Sequence, residues 1–208
     1  MIYNFNTNFV FSTLAKEHSN YKQRINNLIN KLSKREFKNH FSNLYDKNFF
    51  AASPILNSGK PFDVELSSIF NDLISCEFLP ALEQMKKEII LPYGKSFKVN
   101  RMWLNSYNKT GTLSPHTHLN CDFSGVYLVD LNNEPNNTIF YHFTSNTAMS
   151  REYTTEQIKE GSILIFPSHL PHEALFCKEK KVTIAFDSSV VHDDAFYYGD
   201  DYGIKEFV

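Results

Sequence analysis

The spacing of the apolar residues changes near residue 95, and that change limits the possible folds more than any other feature of the chain. Tyr21, Ile25, Leu28, Ile29 and Leu32 recur at three- and four-residue steps, the period of a helix with one apolar face. Ser33 with Glu36 forms a capping-box pattern, and Phe37, Phe41, Leu44 and Tyr45 make a second short stripe behind it. The stretch from Phe49 to Pro61, with its Ser, Asn, Gly and Pro, reads as a loop. Asp63 then fits as the N-cap of a helix carrying Leu66, Ile69, Phe70, Leu73 and Ile74 on one side. Pro80 kinks or restarts that helix, and Leu82, Met85 and Ile89 continue its stripe. From Phe97 the period becomes two, placing Val99, Arg101, Trp103, Asn105 and Tyr107 on one face of a strand. Further strand-like runs cover 125–131, 138–143, 162–166, 173–176 and 181–186, separated by the turn-forming NKTG, NNEPNN, KEG and CKEK. Helices followed by many short strands predict an α+β, mainly β, sandwich or barrel.

With 208 residues, one domain is the expectation, divided into a helical extension (1–95), a β core (96–187) and a tail (188–208). The net charge of −2 argues against a dedicated nucleic-acid or anionic-membrane surface. The three cysteines, Cys76, Cys121 and Cys177, lie far apart without a CxxC, so neither a disulfide framework nor a zinc ribbon is indicated. Near a candidate site, Cys121 and Cys177 read as ordinary neutral thiols. No signal-peptide pattern opens the chain, and polar residues interrupt every apolar stretch well short of a membrane span. A soluble, cytoplasmic protein (in the host cytoplasm if phage-encoded) is therefore expected, with no membrane partner. From Asp187 onward the chain turns acidic, with Asp193, Asp194, Asp200, Asp201 and Glu206 against Lys205 alone. That tail also carries Tyr197, Tyr198, Tyr202 and Phe207, which suit a lid or a homodimer contact as well as a solvated end.

Three of the eight histidines stand out. His116 and His118 lie two apart in SPHTHLN, so in an extended segment both rings point to one side. His172 opens another strand after FPSHLP. Imidazoles so placed can share a transition metal, although the spacing is equally that of half-exposed strand histidines. His169 reads as a rim residue and His142 as a structural strand residue; His18, His40 and His192 have no supporting context.

The succession W-x-N-x-Y, PHTH, SGVYL, EGSILIFPS, His and KVTIAF over residues 97–187 resembles the double-stranded β-helix (jelly-roll, cupin-like) oxygenases that use Fe(II) and 2-oxoglutarate. The branch it is most similar to occurs in marine phages and bacteria, within the prolyl-hydroxylase-like superfamily. The resemblance implies a dioxygenase, by default a hydroxylase of a small-molecule or peptidyl substrate, that releases succinate and CO2. It places His116 at the first iron ligand and His172 at the distal one. It assigns Lys181 to the far carboxylate of 2-oxoglutarate, because a fixed cation is needed there and no arginine follows Arg151. Thr183 would add a hydroxyl on the same face, and Tyr127 and Tyr107 match tyrosines that contact the cosubstrate. Trp103 and Asn105 then fall near the substrate.

One position departs from the pattern. Relatives carry His-x-Asp or His-x-Glu, whereas here the second residue is His118. The third ligand is therefore His118 itself, Asp122 four residues on, or water. A three-histidine metalloenzyme of the cupin type that ignores 2-oxoglutarate fits the same residues, as does a non-catalytic barrel acting as an interaction module.

Overall fold

The computed structural model describes residues 2–5, 8–32, 49–52, 64–89, 96–107, 111–136, 138–143, 149–153, 158–175 and 177–191. Two antiparallel sheets face each other. The larger has seven strands in the order β1 (Ile2–Phe5), β2 (Asn8–Leu14), β9 (Ser162–Pro167), β6 (Phe123–Asp130), β11 (Lys181–Val191), β4 (Ser96–Tyr107) and β3 (Phe49–Ala52). The smaller has four: β5 (Leu113–His116), β10 (His172–Ala174), β7 (Thr138–Phe143) and β8 (Met149–Tyr153). This is the double-stranded β-helix arrangement expected from the sequence.

Helices cover the outer face of the large sheet. The stripe of α1 (His18–Leu32) buries Tyr21, Ile25, Leu28 and Ile29. α2 (Val64–Leu73) buries Leu66, Ile69, Phe70 and Leu73, and α3 (Leu79–Ile89) buries Ala81, Leu82 and Met85. Between α2 and α3 the chain widens into one π-helical turn, Ile74–Phe78, with the Leu79 N–H donating to the Ile74 carbonyl. Pro80 follows at once, and its missing N–H and bulky ring account for this local change of pitch. Against these helices lie Met102, Leu104, Tyr127, Val129, Val182, Ile184 and Phe186 from the sheet, in one continuous core. A second core of Val10, Leu128, Phe140, Leu164, Phe166 and Leu170 fills the space between the sheets.

The N-terminal part is more than a helical extension, for β1, β2 and β3 all join the large sheet. β2 pairs with β9 along Phe11–Leu14, so Val10 and Phe11 enter cores on opposite faces. A strand buried on both faces shows no alternation, which is why this run carries no period-two signal. Likewise part of the expected loop at 49–61 pairs with β4 as β3. β11 continues to Val191, past the expected end of the core at 187. The Ser33–Glu36 box, the 37–45 stripe, Asp63, His40, His192 and the tail aromatics lie outside the described residues, as does the side chain of His142. Among the described residues, no helix is long and apolar enough to cross a membrane.

Candidate metal and cosubstrate site

β4 and β11 pair in register with Lys181 opposite Tyr107, Thr183 opposite Asn105, Ala185 opposite Trp103 and Asp187 opposite Arg101. Strand alternation turns all eight toward the small sheet, while Val182, Ile184 and Phe186 turn to the helices. On the facing sheet, β5 and β10 pair with His116 opposite His172, which brings the two rings to a centroid distance of 4.3 Å. His118 comes from the loop after β5. That loop is pinned by the His118 N–H to the Ser168 carbonyl (2.9 Å), the Ser168 N–H to the Asp122 carbonyl and the Asp122 N–H to the Ser188 carbonyl (both 3.0 Å). The His118 ring stacks on Trp103 at 5.5 Å and lies 5.1 Å from His172. One ring nitrogen from each of His116, His118 and His172 lies within 4.8 Å of the others. The pocket between the sheets is lined by these histidines and by Trp103, Asn105, Tyr107, Thr138, Glu173, Lys181 and Thr183.

The outward bonds of the three imidazoles determine what they can offer. His116 Nδ1 lies 2.8 Å from the Ser114 carbonyl, and His172 Nδ1 lies 3.0 Å from the Leu170 carbonyl. A carbonyl only accepts, so both Nδ1 atoms carry the proton and both Nε2 atoms keep a lone pair. His118 Nδ1 contacts the Asp187 carboxylate at 2.5 Å, so this nitrogen carries a proton and Nε2 is the one left to coordinate. Burial, before any neighbour, pulls His116 below the usual histidine range and His172 well below it, so both stay neutral at physiological pH. Three imidazoles, each bonded from behind through Nδ1 and each with Nε2 left to coordinate, are a donor set suited to a divalent transition metal.

Asp187 is fully buried. Its Oδ1 also accepts from the Ser124 hydroxyl (2.8 Å), and Arg101 Nη2 lies 2.7 Å from Oδ2. Burial pushes this carboxyl up, but His118, Ser124 and Arg101 together hold it below the usual carboxylate range. Asp187 belongs to the site, not to the acidic tail in which its sequence position groups it. Its period-two spacing from Lys181 and Thr183 was the available signal. Asp122, the other carboxylate considered as a ligand, is engaged elsewhere: it is exposed, and its Oδ2 accepts the Val190 N–H at 2.8 Å.

Lys181 is buried, with its Nζ 5.7 Å above the Tyr107 ring, and burial pushes its ammonium down to about 8. Asn105 donates to the Thr183 hydroxyl at 3.4 Å; among the described residues its buried Oδ1 has no hydrogen-bond partner. Tyr127 does not reach the pocket. On β6, Val126 faces the site and Tyr127 faces the helices, where its hydroxyl bonds His18 Nδ1 at 2.8 Å. Burial pushes that phenol above its ordinary range. The expected cosubstrate contact by Tyr127 is thus replaced by a structural one, because adjacent residues of a strand point to opposite faces. His18, which the sequence left without a context, gains one. His169 lies exposed in the turn before β10. Cys177 is buried and Cys121 half-buried; burial raises both thiols, and neither is in a disulfide.

Residues 101–187 match the family model described as "Putative 2OG-Fe(II) oxygenase". The match covers the β core, under half of the chain, and makes that core similar to this family. Its members are defined by Fe(II) and 2-oxoglutarate, and the imidazole cluster fits the first of these. No curated protein matches the sequence. Among solved structures, the fold is similar to the non-heme alpha ketoglutarate dependent epimerase SnoN from nogalamycin biosynthesis. That match has a TM-score of 0.61 and 9% identity, covering 95% of this chain and 86% of that one. It is also similar to a Pseudomonas putida prolyl-4-hydroxylase (TM-score 0.52, 10% identity, 87% and 92% covered). A 2OG-Fe(II) oxygenase family oxidoreductase from Burkholderia pseudomallei aligns comparably (0.53, 10%, 85% and 93%). At these identities the likeness is one of fold.

Proposed function

We propose that the protein is an Fe(II)- and 2-oxoglutarate-dependent hydroxylase in which His116, His118 and His172 hold the metal and Lys181, Thr183 and Tyr107 hold the cosubstrate. The observation that carries this reading is the arrangement of one pocket: three imidazoles with their Nδ1 atoms committed outward, and a buried lysine lining the same pocket from the facing strand β11. Ala185, level with Trp103 and the His118 ring stacked on it, is four residues from Lys181, a rise of ~13 Å at ~3.3 Å per residue. A lysine side chain and a five-carbon dicarboxylate together fill that span.

In this reading Lys181 supplies a desolvated ammonium for the far carboxylate, with the Thr183 hydroxyl beside it on the same strand face. Tyr107 walls the inner end, its ring against the lysine stem. Trp103 keeps water from one side of the metal ligands and, with the open acceptor of Asn105, faces the space left for substrate. Bound Fe(II) would supply dioxygen activation: dioxygen is the oxidant and 2-oxoglutarate the two-electron reductant, leaving as succinate and CO2, with one oxygen atom going to succinate and the other to the substrate.

Anaerobic titration with Fe(II) and then 2-oxoglutarate tests the reading. A saturable visible charge-transfer band at one equivalent is expected, and iron uptake without the band would overturn the cosubstrate assignment. Hydroxylation is tested by an added oxygen in the substrate, matched to succinate released. The HxH pair favours one second reading, a three-histidine metalloenzyme that does not use 2-oxoglutarate. In that case Lys181→Met would leave turnover unchanged.

A further inference from the structure

Resting on that metal reading, we infer that Asp187 is the outer carboxylate of the centre: it fixes His118 as an Nε2 donor and supplies, one ring removed, the negative charge missing from the ligand set. Three neutral imidazoles leave a divalent ion with its whole +2 charge in a partly desolvated pocket. Two of the rings are backed by neutral carbonyls, those of Ser114 and Leu170; His118 alone is backed by a carboxylate, at 2.5 Å. A hydrogen bond from an imidazole N–H to a carboxylate makes the opposite nitrogen a stronger donor. The charge is thus kept near the metal without occupying a coordination position.

The surroundings hold this carboxylate in one orientation. Ser124, two residues from Val126 on the pocket-facing side of β6, donates to the oxygen that receives His118, and Arg101 closes on the other oxygen at 2.7 Å. The same guanidinium donates to the Leu119 carbonyl at 3.0 Å, tying the carboxylate to the loop that carries His118. Arg101 is 58% exposed, so it steadies Asp187 from the solvent side without cancelling its charge in a dry environment. Asp187 is accordingly a positioning residue that acts through His118.

Co(II) is the probe, because its visible bands report coordination and its affinity can be measured on the whole protein without turnover. Asp187→Asn is expected to bind Co(II) about 10–100-fold more weakly than wild type and to shift the bands. In a His118→Ala background the same substitution is expected to change Co(II) affinity less than about twofold, because the ring through which it acts is gone. Wild-type affinity in Asp187→Asn, or an equal loss in both backgrounds, would overturn the inference while leaving the metal site standing. A wild-type protein that takes up no Co(II) overturns the metal reading and this inference with it. If Asp187→Asn does not fold, Arg101→Gln decides: loss of this exposed restraint on Asp187 should weaken Co(II) binding a few-fold in the wild-type background and leave it unchanged in His118→Ala, and an equal loss in both, or none in either, counts against the inference.

Discussion

Along β11, consecutive residues are equally buried and chemically opposite. Val182, Ile184 and Phe186 point to the helices, where Phe186 stacks on Phe78 at 4.3 Å. Lys181, Thr183 and Asp187 point to the pocket with exposures of 3%, 2% and 0%. The apolar face lowers the free energy of the fold through area removed from water. The polar face cannot do so, since each buried polar group costs free energy unless it is bonded. A row of such groups along one strand face, kept in place of apolar side chains, marks where the protein handles something other than itself. The two faces of one strand therefore separate stability from chemistry, and substitutions on each should change one property and spare the other.

The sharpest form of that contrast sets His116→Ala, half-buried across the pocket on β5, against Phe186→Ala. Loss of this half-buried metal ligand should lower iron-dependent turnover by at least about a thousandfold, the several kcal/mol a bound metal supplies, with little change in the melting temperature of the metal-free protein. Phe186→Ala should instead cost ~3–5 kcal/mol of stability. What remains folded should keep its affinity for Co(II). Urea melts and Co(II) titrations on both variants check this, and crossed effects would break the comparison.

Lys181→Met tests whether one residue can carry both signs. The 2-oxoglutarate requirement should rise about a hundredfold, as for loss of a desolvated charge-assisted pair. The ligand-free protein should melt higher, because the buried ammonium is no longer desolvated. A pKa of about 8 in place of 10.5 puts that cost on the order of 3 kcal/mol at neutral pH. Succinate assays and calorimetry together decide it.

Gly125→Ala bears on the other face. Gly125 pairs with Phe186, and a Cβ there would sit 2.2 Å from two atoms of its ring. That ring is pressed against Phe78 and has no room to retreat, so overpacking of ~1–3 kcal/mol is expected, with metal and cosubstrate affinities unchanged. A melting temperature equal to wild type would show the core to be softer than its contacts suggest.

What could be read from the chain divides along the same line. The helix stripes and β4 were legible by their period, and β6 and β11, buried on both faces, as apolar runs bounded by turn residues. β2 was not, since its buried pair Val10 and Phe11 is followed by the polar Ser12 and Thr13 and the exposed Leu14, and β5 is only four residues long. In the site, His116, His118, His172, Lys181 and Thr183 stood out through spacing and family order. Asp187 did not: it is followed in sequence by an acidic run, and although its period-two spacing from Lys181 puts it on the pocket face, the register of β11 against β4 is what pairs it with Arg101 and brings it to His118. Tyr127 was misplaced for the same reason, one step of a strand out of phase.

The smallest expected effect is a pH dependence in which stability and affinity move in opposite directions. Lys181 titrates lower in the folded protein than in the unfolded chain, so between about pH 8 and 10.5 the unfolded chain binds more protons. Stability of the ligand-free protein should then gain from this residue as pH rises through that window. The cosubstrate carboxylate needs the ammonium, so above about pH 8 its binding must first return a proton to Lys181. Affinity for 2-oxoglutarate should fall by up to about tenfold per pH unit there, and be flat below. Titration calorimetry at pH 7 and pH 9, in two buffers of different ionisation enthalpy, would show the proton uptake directly. In Lys181→Met both slopes should vanish together, because one buried side chain is the source of each.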